Sequence, residues 1–102
     1  MNFIDIRHGD LCLAREPIPT SVKLLACASP LVLAGHDTAP HVIAEHGALQ
    51  YALDGETHRI RISAPVTLSH SSRHLPVTLE PGDWAGWSLA EMLGEVAQRV
   101  VD

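Results

Sequence analysis

The apolar runs of this chain are all short, and each is stopped by a proline, a glycine or a turn dipeptide. Residues 11–14 form a continuous apolar run ended by Pro17 and Pro19, which cannot donate to a sheet ladder. The run 22–28 breaks at Ser29-Pro30, and 31–34 breaks at Gly35. Runs of this length, bounded by turn residues, read as strands rather than helices. The strongest local signal is Asp54-Gly55 between two alternating segments, a dipeptide that favours a tight hairpin. A two-residue loop at Asp54-Gly55 predicts Tyr51 opposite His58 and Leu49 opposite Ile60. Leu49, Tyr51, His58, Ile60 and Ile62 then share the core face, and Gln50, Arg59 and Arg61 point outward.

A strand is expected at 41–46, with His41 and Ile43 on one face and Val42 and Ala44 on the other. Further on, 65–68 leads into a polar turn that carries His70 and His74, and 77–79 leads out of it. Pro81-Gly-Asp83 turns the chain towards Trp84 and Trp87. Ser88 and Glu91 fit a capping box, and Leu89, Met92, Leu93, Val96 and Val100 recur at helical spacing. These elements predict one mainly β domain over residues 1–102, a small antiparallel barrel or sandwich with a C-terminal α-helix at about 88–101. At 46% apolar and 4% aromatic residues, the core must be built chiefly of Leu, Val, Ile and Ala.

The formal charge of −5 disfavours nucleic acid and anionic membranes, which would require a local basic patch. Arg59, Arg61 and Arg73 are the candidates, and they read first as a solvated face. Cys12 and Cys27 form no CxxC and no zinc-finger spacing, so both read as small core residues with reduced thiols. No leader sequence and no apolar stretch of membrane-spanning length is seen, and the expected location is the cytosol.

Seven histidines are the outlier, where average usage gives roughly two or three. Histidine titrates near neutrality and is the commonest metal ligand. A metal site requires three or four donors converging from separate strands. The set that satisfies this is His41, His70 and His74, with His36, Asp37 or Glu45 as a fourth donor. The expected occupant is a divalent ion such as zinc, nickel, manganese or iron. A metal-free acid–base role for His70 with Asp83 or Glu80 is the enzymatic alternative. There is no nucleophile elbow and no phosphate cradle of the GxGxxG or GxxxxGK[ST] type.

With Arg7-His-Gly-Asp10, Ala39-Pro-His41-Val-Ile43, His70…His74-Leu-Pro76 and Glu80-Pro-Gly82 in view, the chain resembles an uncharacterised family of short bacterial and phage β proteins. That family has an R-x-G-D opening, a G-H-x-H middle and a later H-x-x-H-x-P turn. Here the middle segment keeps one histidine, with Pro40 beside it, and the later pair has one extra intervening residue. The resemblance implies a β fold and points to these histidines, with no activity attached. Gly35…His41…Glu45 and His70 also give a weaker similarity to cupins, without the H-x-H pair of their first motif.

The sequence therefore predicts a binding module with a histidine-based site for a divalent metal or a small anionic ligand. The alternatives are a cupin-like or acid–base enzyme, and an assembly subunit that pairs with copies of itself or another protein through Trp84, Trp87 and the helix stripe.

Overall fold

The computed structural model describes residues 4–33, 40–70 and 75–88. Ten strands form two antiparallel sheets. The first sheet runs β1 (Ile6–His8), β2 (Leu11–Arg15), β10 (Gly82–Ser88), β7 (Thr57–Ile62), β6 (Leu49–Asp54) and β3 (Leu25–Ala26), in that lateral order. The second runs β4 (Leu31–Leu33), β5 (His41–Ile43), β8 (Val66–His70) and β9 (Val77–Leu79). The fold is mainly β as expected. Among the described residues, however, the sheets do not close into a barrel, because each ends on edge strands.

Two hairpins of the first sheet use the same turn. His8 pairs with Leu11 across Gly9-Asp10, and Asp54 pairs with Thr57 across Gly55-Glu56. Gly9 has φ 65° and Gly55 φ 63°, while no non-glycine described residue has positive φ. Glycine at the first of two loop positions is the signature of a type II′ turn. The second hairpin therefore corrects the expected register. Leu49 faces Ile62, Tyr51 faces Ile60 and Leu53 faces His58. Placing the loop one residue later leaves Asp54 in the strand and confines positive φ to glycine, which bears it without a Cβ clash. The pairing moves by two residues, so the faces are unchanged and Leu49, Ile60 and Ile62 are buried as expected.

The inner faces of both sheets meet in one core. Leu11, Leu13, Leu49, Ile60, Ile62 and Trp84 from the first sheet pack with Leu31, Leu33, Ile43, Val66, Leu68 and Leu79 from the second. The burial of alternate residues follows the pleat. In β8, Val66, Leu68 and His70 are buried, and in β5 the same is true of His41 and Ile43. Trp84 closes the core near Arg15, whose guanidinium lies 4.7 Å from the ring centroid, and its indole N–H donates to the Glu80 carbonyl at 3.0 Å. Cys12, Ala14, Ala85 and Trp87 form a second buried cluster on the opposite face of the first sheet.

Strand β10 is the main departure from the expected elements. Residues 84–87 were expected to follow a turn, yet they form the strand between β2 and β7. Ser88, expected to begin the helix, lies in that strand opposite Leu11. The remainder of the expected helix, with Glu91 and the stripe from Leu89 to Val100, lies outside the described residues. Sequence patterning misses β10 because Gly and Ala carry little strand propensity. Gly86 is there for space: a Cβ at this position would lie 2.9 Å from Leu13 Cδ2 and 3.6 Å from His58 Cβ. Trp84 and Trp87 are buried, and the helix stripe expected to join them in an interface lies outside the described residues.

On the outer face the arginines are paired. Arg61 binds Asp83 through two hydrogen bonds of 2.9 and 3.2 Å, and Arg59 binds Glu16 at 2.6 Å with Asp54 at 3.5 Å. The hydrogen bond from Arg61 holds the Asp83 carboxyl below the usual carboxylate range. Arg59 and Arg61 are thus a charge-neutralised face and supply no basic patch, while Arg73 lies outside the described residues. No helix among the described residues is long and apolar enough to cross a membrane.

The close approach at Gly86 gives a direct test. Gly86→Ala should lose about 1–3 kcal/mol through overpacking against Leu13, read as a lower urea midpoint with an unchanged slope. Gly47→Ala, where an added Cβ meets nothing within 4 Å, should be neutral or slightly stabilising. Equal midpoints for the two variants would contradict this packing.

Candidate functional site

Where the apolar core reaches one end of the two sheets, it gives way to histidine. His8 is 3% exposed, His41 0% and His70 9%. His41 and His70 are direct cross-strand partners of β5 and β8, with Leu33 on the other side of His41. His8 comes from the first sheet, at the end of β1 and just before the Gly9-Asp10 turn. The ring centroids lie 4.8 Å apart for His41–His70, 5.0 Å for His8–His41 and 6.1 Å for His8–His70. Three imidazoles on three strands thus join the sheets.

Polar partners orient the rings. The Nδ1 atoms of His8 and His41 are 2.8 Å apart. His8 Nε2 lies 3.0 Å from the Leu75 carbonyl oxygen, and His41 Nε2 lies 3.4 Å from Asp10 Oδ1. Asp10 reaches His41 because the glycine turn projects it beside His8. Arg7 steadies that turn by donating from Nε to the Gly9 carbonyl at 3.1 Å. The Arg7-His-Gly-Asp10 opening is therefore a structural unit that delivers His8 and Asp10 together. Buried polar groups need such partners, because each one lost costs about 1–3 kcal/mol.

The expected set is found in part. The structure brings His41 and His70 together; His74, along with the proposed fourth donors His36 and Asp37, lies outside the described residues. Glu45 is turned elsewhere, and both its carboxylate oxygens accept from the Thr67 amide at 3.2 Å. Asp83 is committed to Arg61 and is no partner for His70. His46 bonds the Ala44 carbonyl at 3.2 Å. His58 is bonded through Nδ1 to the Tyr51 hydroxyl at 2.7 Å, across the diagonal of the hairpin. Both cysteines are free, and burial pushes both thiols above their ordinary value.

His8 is the residue that sequence reasoning passed over, although a signal existed. Gly-Asp between two β-prone residues reads as a II′ hairpin, and that register places His8 beside Leu11, on the buried face. Among the described residues, no group of three or more His, Cys, Asp or Glu side chains already stands in an arrangement that could hold a metal ion. Comparison of the chain with family models, with curated proteins and with solved structures returns no match. The resemblance to short bacterial and phage proteins rests on the sequence motifs alone.

Burial pushes the His41 imidazole below its ordinary value near 6.5; the hydrogen bond to Asp10 opposes this, and charge on His8 or His70 adds to it. A depressed folded-state pKa means that the unfolded chain binds the proton more readily. Stability is then present above about pH 6.5 and is lost as pH falls from there towards the folded-state value. The urea midpoint should drop between pH 7.5 and 5.5, with a slope of up to about 1.4 kcal/mol per pH unit from this one group. His41→Asn should show a shallower dependence, and an equally steep one would remove His41 as the cause.

Proposed function

We propose that this chain is a small β module that takes up a divalent transition-metal ion at His8, His41 and His70. The observation that carries the reading is the meeting of three buried imidazoles from both sheets at ring separations of 4.8–6.1 Å. Imidazole suits zinc, nickel, copper and iron, whereas calcium and magnesium prefer oxygen. A carboxylate and a backbone carbonyl on the outer nitrogens of two rings form the usual outer shell of ligating histidines.

Uptake requires the rings to part. Bonds of about 2.0–2.1 Å in a tetrahedron hold two nitrogens about 3.3 Å apart, against 2.8 Å between the facing Nδ1 atoms. His70 must also turn inward to supply a third donor. These are side-chain adjustments at one end of the core and leave the strand pairing intact. Bound metal would tie edge strand β1 to β5 and β8, a link between sheets that share no ladder.

Elemental analysis of protein purified without a polyhistidine tag should find about one zinc or nickel ion per chain. Added metal at a hundredfold excess over Kd contributes about 2.7 kcal/mol, a rise in Tm of about 10–20 °C for a domain of this size. A metal-free preparation whose Tm ignores zinc, nickel and manganese would overturn the proposal.

A further inference from the structure

The first sheet has six strands and the second four, and the larger sheet outruns its cover at β3. Burial along the inner face of β6 records the step: Leu49 is 3% exposed, Tyr51 is partly buried and Leu53 is 60% exposed. Leu25, set opposite Tyr51 on β3, shares that face and is 68% exposed. Beside them lies a cleft of about 230 Å³, lined in part by Leu25, Cys27, Pro30, Leu31 and Tyr51.

β3 is also an edge strand. The Cys27 amide donates inward to the Leu49 carbonyl at 3.3 Å. Backbone groups alternate in an antiparallel ladder, so the exposed Ala26 turns its N–H and C=O away from β6. Edge strands are ordinarily guarded by charge, proline or a bulge. The opposite edge, β1, carries Arg7 between Asp5 and Asp10, and β9 stands between Pro76 and Glu80-Pro81. β3 has no such guard: residues 24–29 hold no proline, and residues 24–35 hold no Asp, Glu, Lys, Arg or His.

From this we infer that two copies of the chain pair edge to edge through β3, antiparallel about a twofold axis at Ala26. In that register each Ala26 amide donates to the partner's Ala26 carbonyl. Leu25 lies beside the partner's Cys27, at the mouth of the partner's cleft, and Lys23 falls opposite the partner's Ser29. No like charges meet. A second copy suits this edge because it brings the same uncharged stretch, whereas elsewhere two chains of formal charge −5 repel each other. A specific interface buries at least about 1,000 Å². The short ladder alone falls below that, and the exposed Leu25 and Leu53 with the cleft supply the remainder. The pairing is independent of the metal reading, since His8 lies on β1 at the other edge of the sheet.

Sedimentation velocity of the full chain over a wide concentration range should show its mass rising from one chain towards two. Ala26→Pro removes the outward amide at a place where an edge strand tolerates proline, and should weaken association about tenfold or more through two lost hydrogen bonds. Leu25→Lys sets a charge on the apolar shelf of each copy and should weaken it likewise. Far-ultraviolet circular dichroism matching wild type separates lost pairing from lost folding. Ala26→Cys, where the paired Cα atoms would stand about 5.5 Å apart, should oxidise to a covalent dimer whose disulfide maps to position 26 of both copies. That linkage decides the matter even if the other two variants unfold. A chain that stays monomeric at every concentration overturns the inference and leaves the edge to an extended segment of another protein. A dimer that both Ala26→Pro and Leu25→Lys leave intact, or a disulfide found only at Cys12 or Cys27, overturns it as well.

Discussion

The packing of β10 between β2 and β7 is the constraint on which the rest of the structure depends. It pairs with both neighbours over five residues each, and without it the first sheet would separate into the β1–β2 hairpin and the three-stranded β7–β6–β3 unit. Such a strand must pass close to its neighbours' side chains, which Gly86 permits by leaving space for Leu13. Trp84, two residues earlier, fills the opposite need by covering the inner core beneath Arg15. Small and very large residues alternate here because the strand meets a crowded spot and an open one in succession.

From that sheet the site follows. The pairing of β2 with β10 fixes β2, and the Gly9-Asp10 hairpin then fixes β1 against β2. His8 is thereby set on the inner face, opposite the second sheet. His41 and His70 arrive from that sheet through ordinary cross-strand register. Apolar burial dominates folding in chains of this size, yet this end of the core is imidazole. Its partners, Asp10 and the Leu75 carbonyl, offset part of the desolvation cost. A cluster kept at that cost is specific: any strand that slips by one residue turns its histidine out to the surface.

Legibility differed between fold and site. The apolar runs at 11–14, 31–33 and 77–79 read correctly as strands because their turn residues bound them. The faces of β6 and β7 were right although the hairpin register was off, since a shift of two preserves the alternation. β10 was illegible because its strand character comes from its neighbours rather than from its own residues. His41 and His70 were singled out from composition and placement near turns, but His8 was read only as part of an opening motif. Its burial depends on a II′ register that swaps the usual Asp-Gly order.

What the sequence determined by itself was a small, mainly β domain with an aliphatic core, glycine turns and an excess of histidine. These follow from local rules: proline and glycine stop strands, and alternation chooses faces. Only the tertiary structure decided which histidines meet, because His8, His41 and His70 are far apart along the chain and are joined by two sheets whose packing no local pattern encodes. It likewise decided that the tryptophans are core rather than surface, and that Arg59 and Arg61 are neutralised by Glu16, Asp54 and Asp83. In each case the deciding contact is long-range, and its energy is gained only once the sheets have formed.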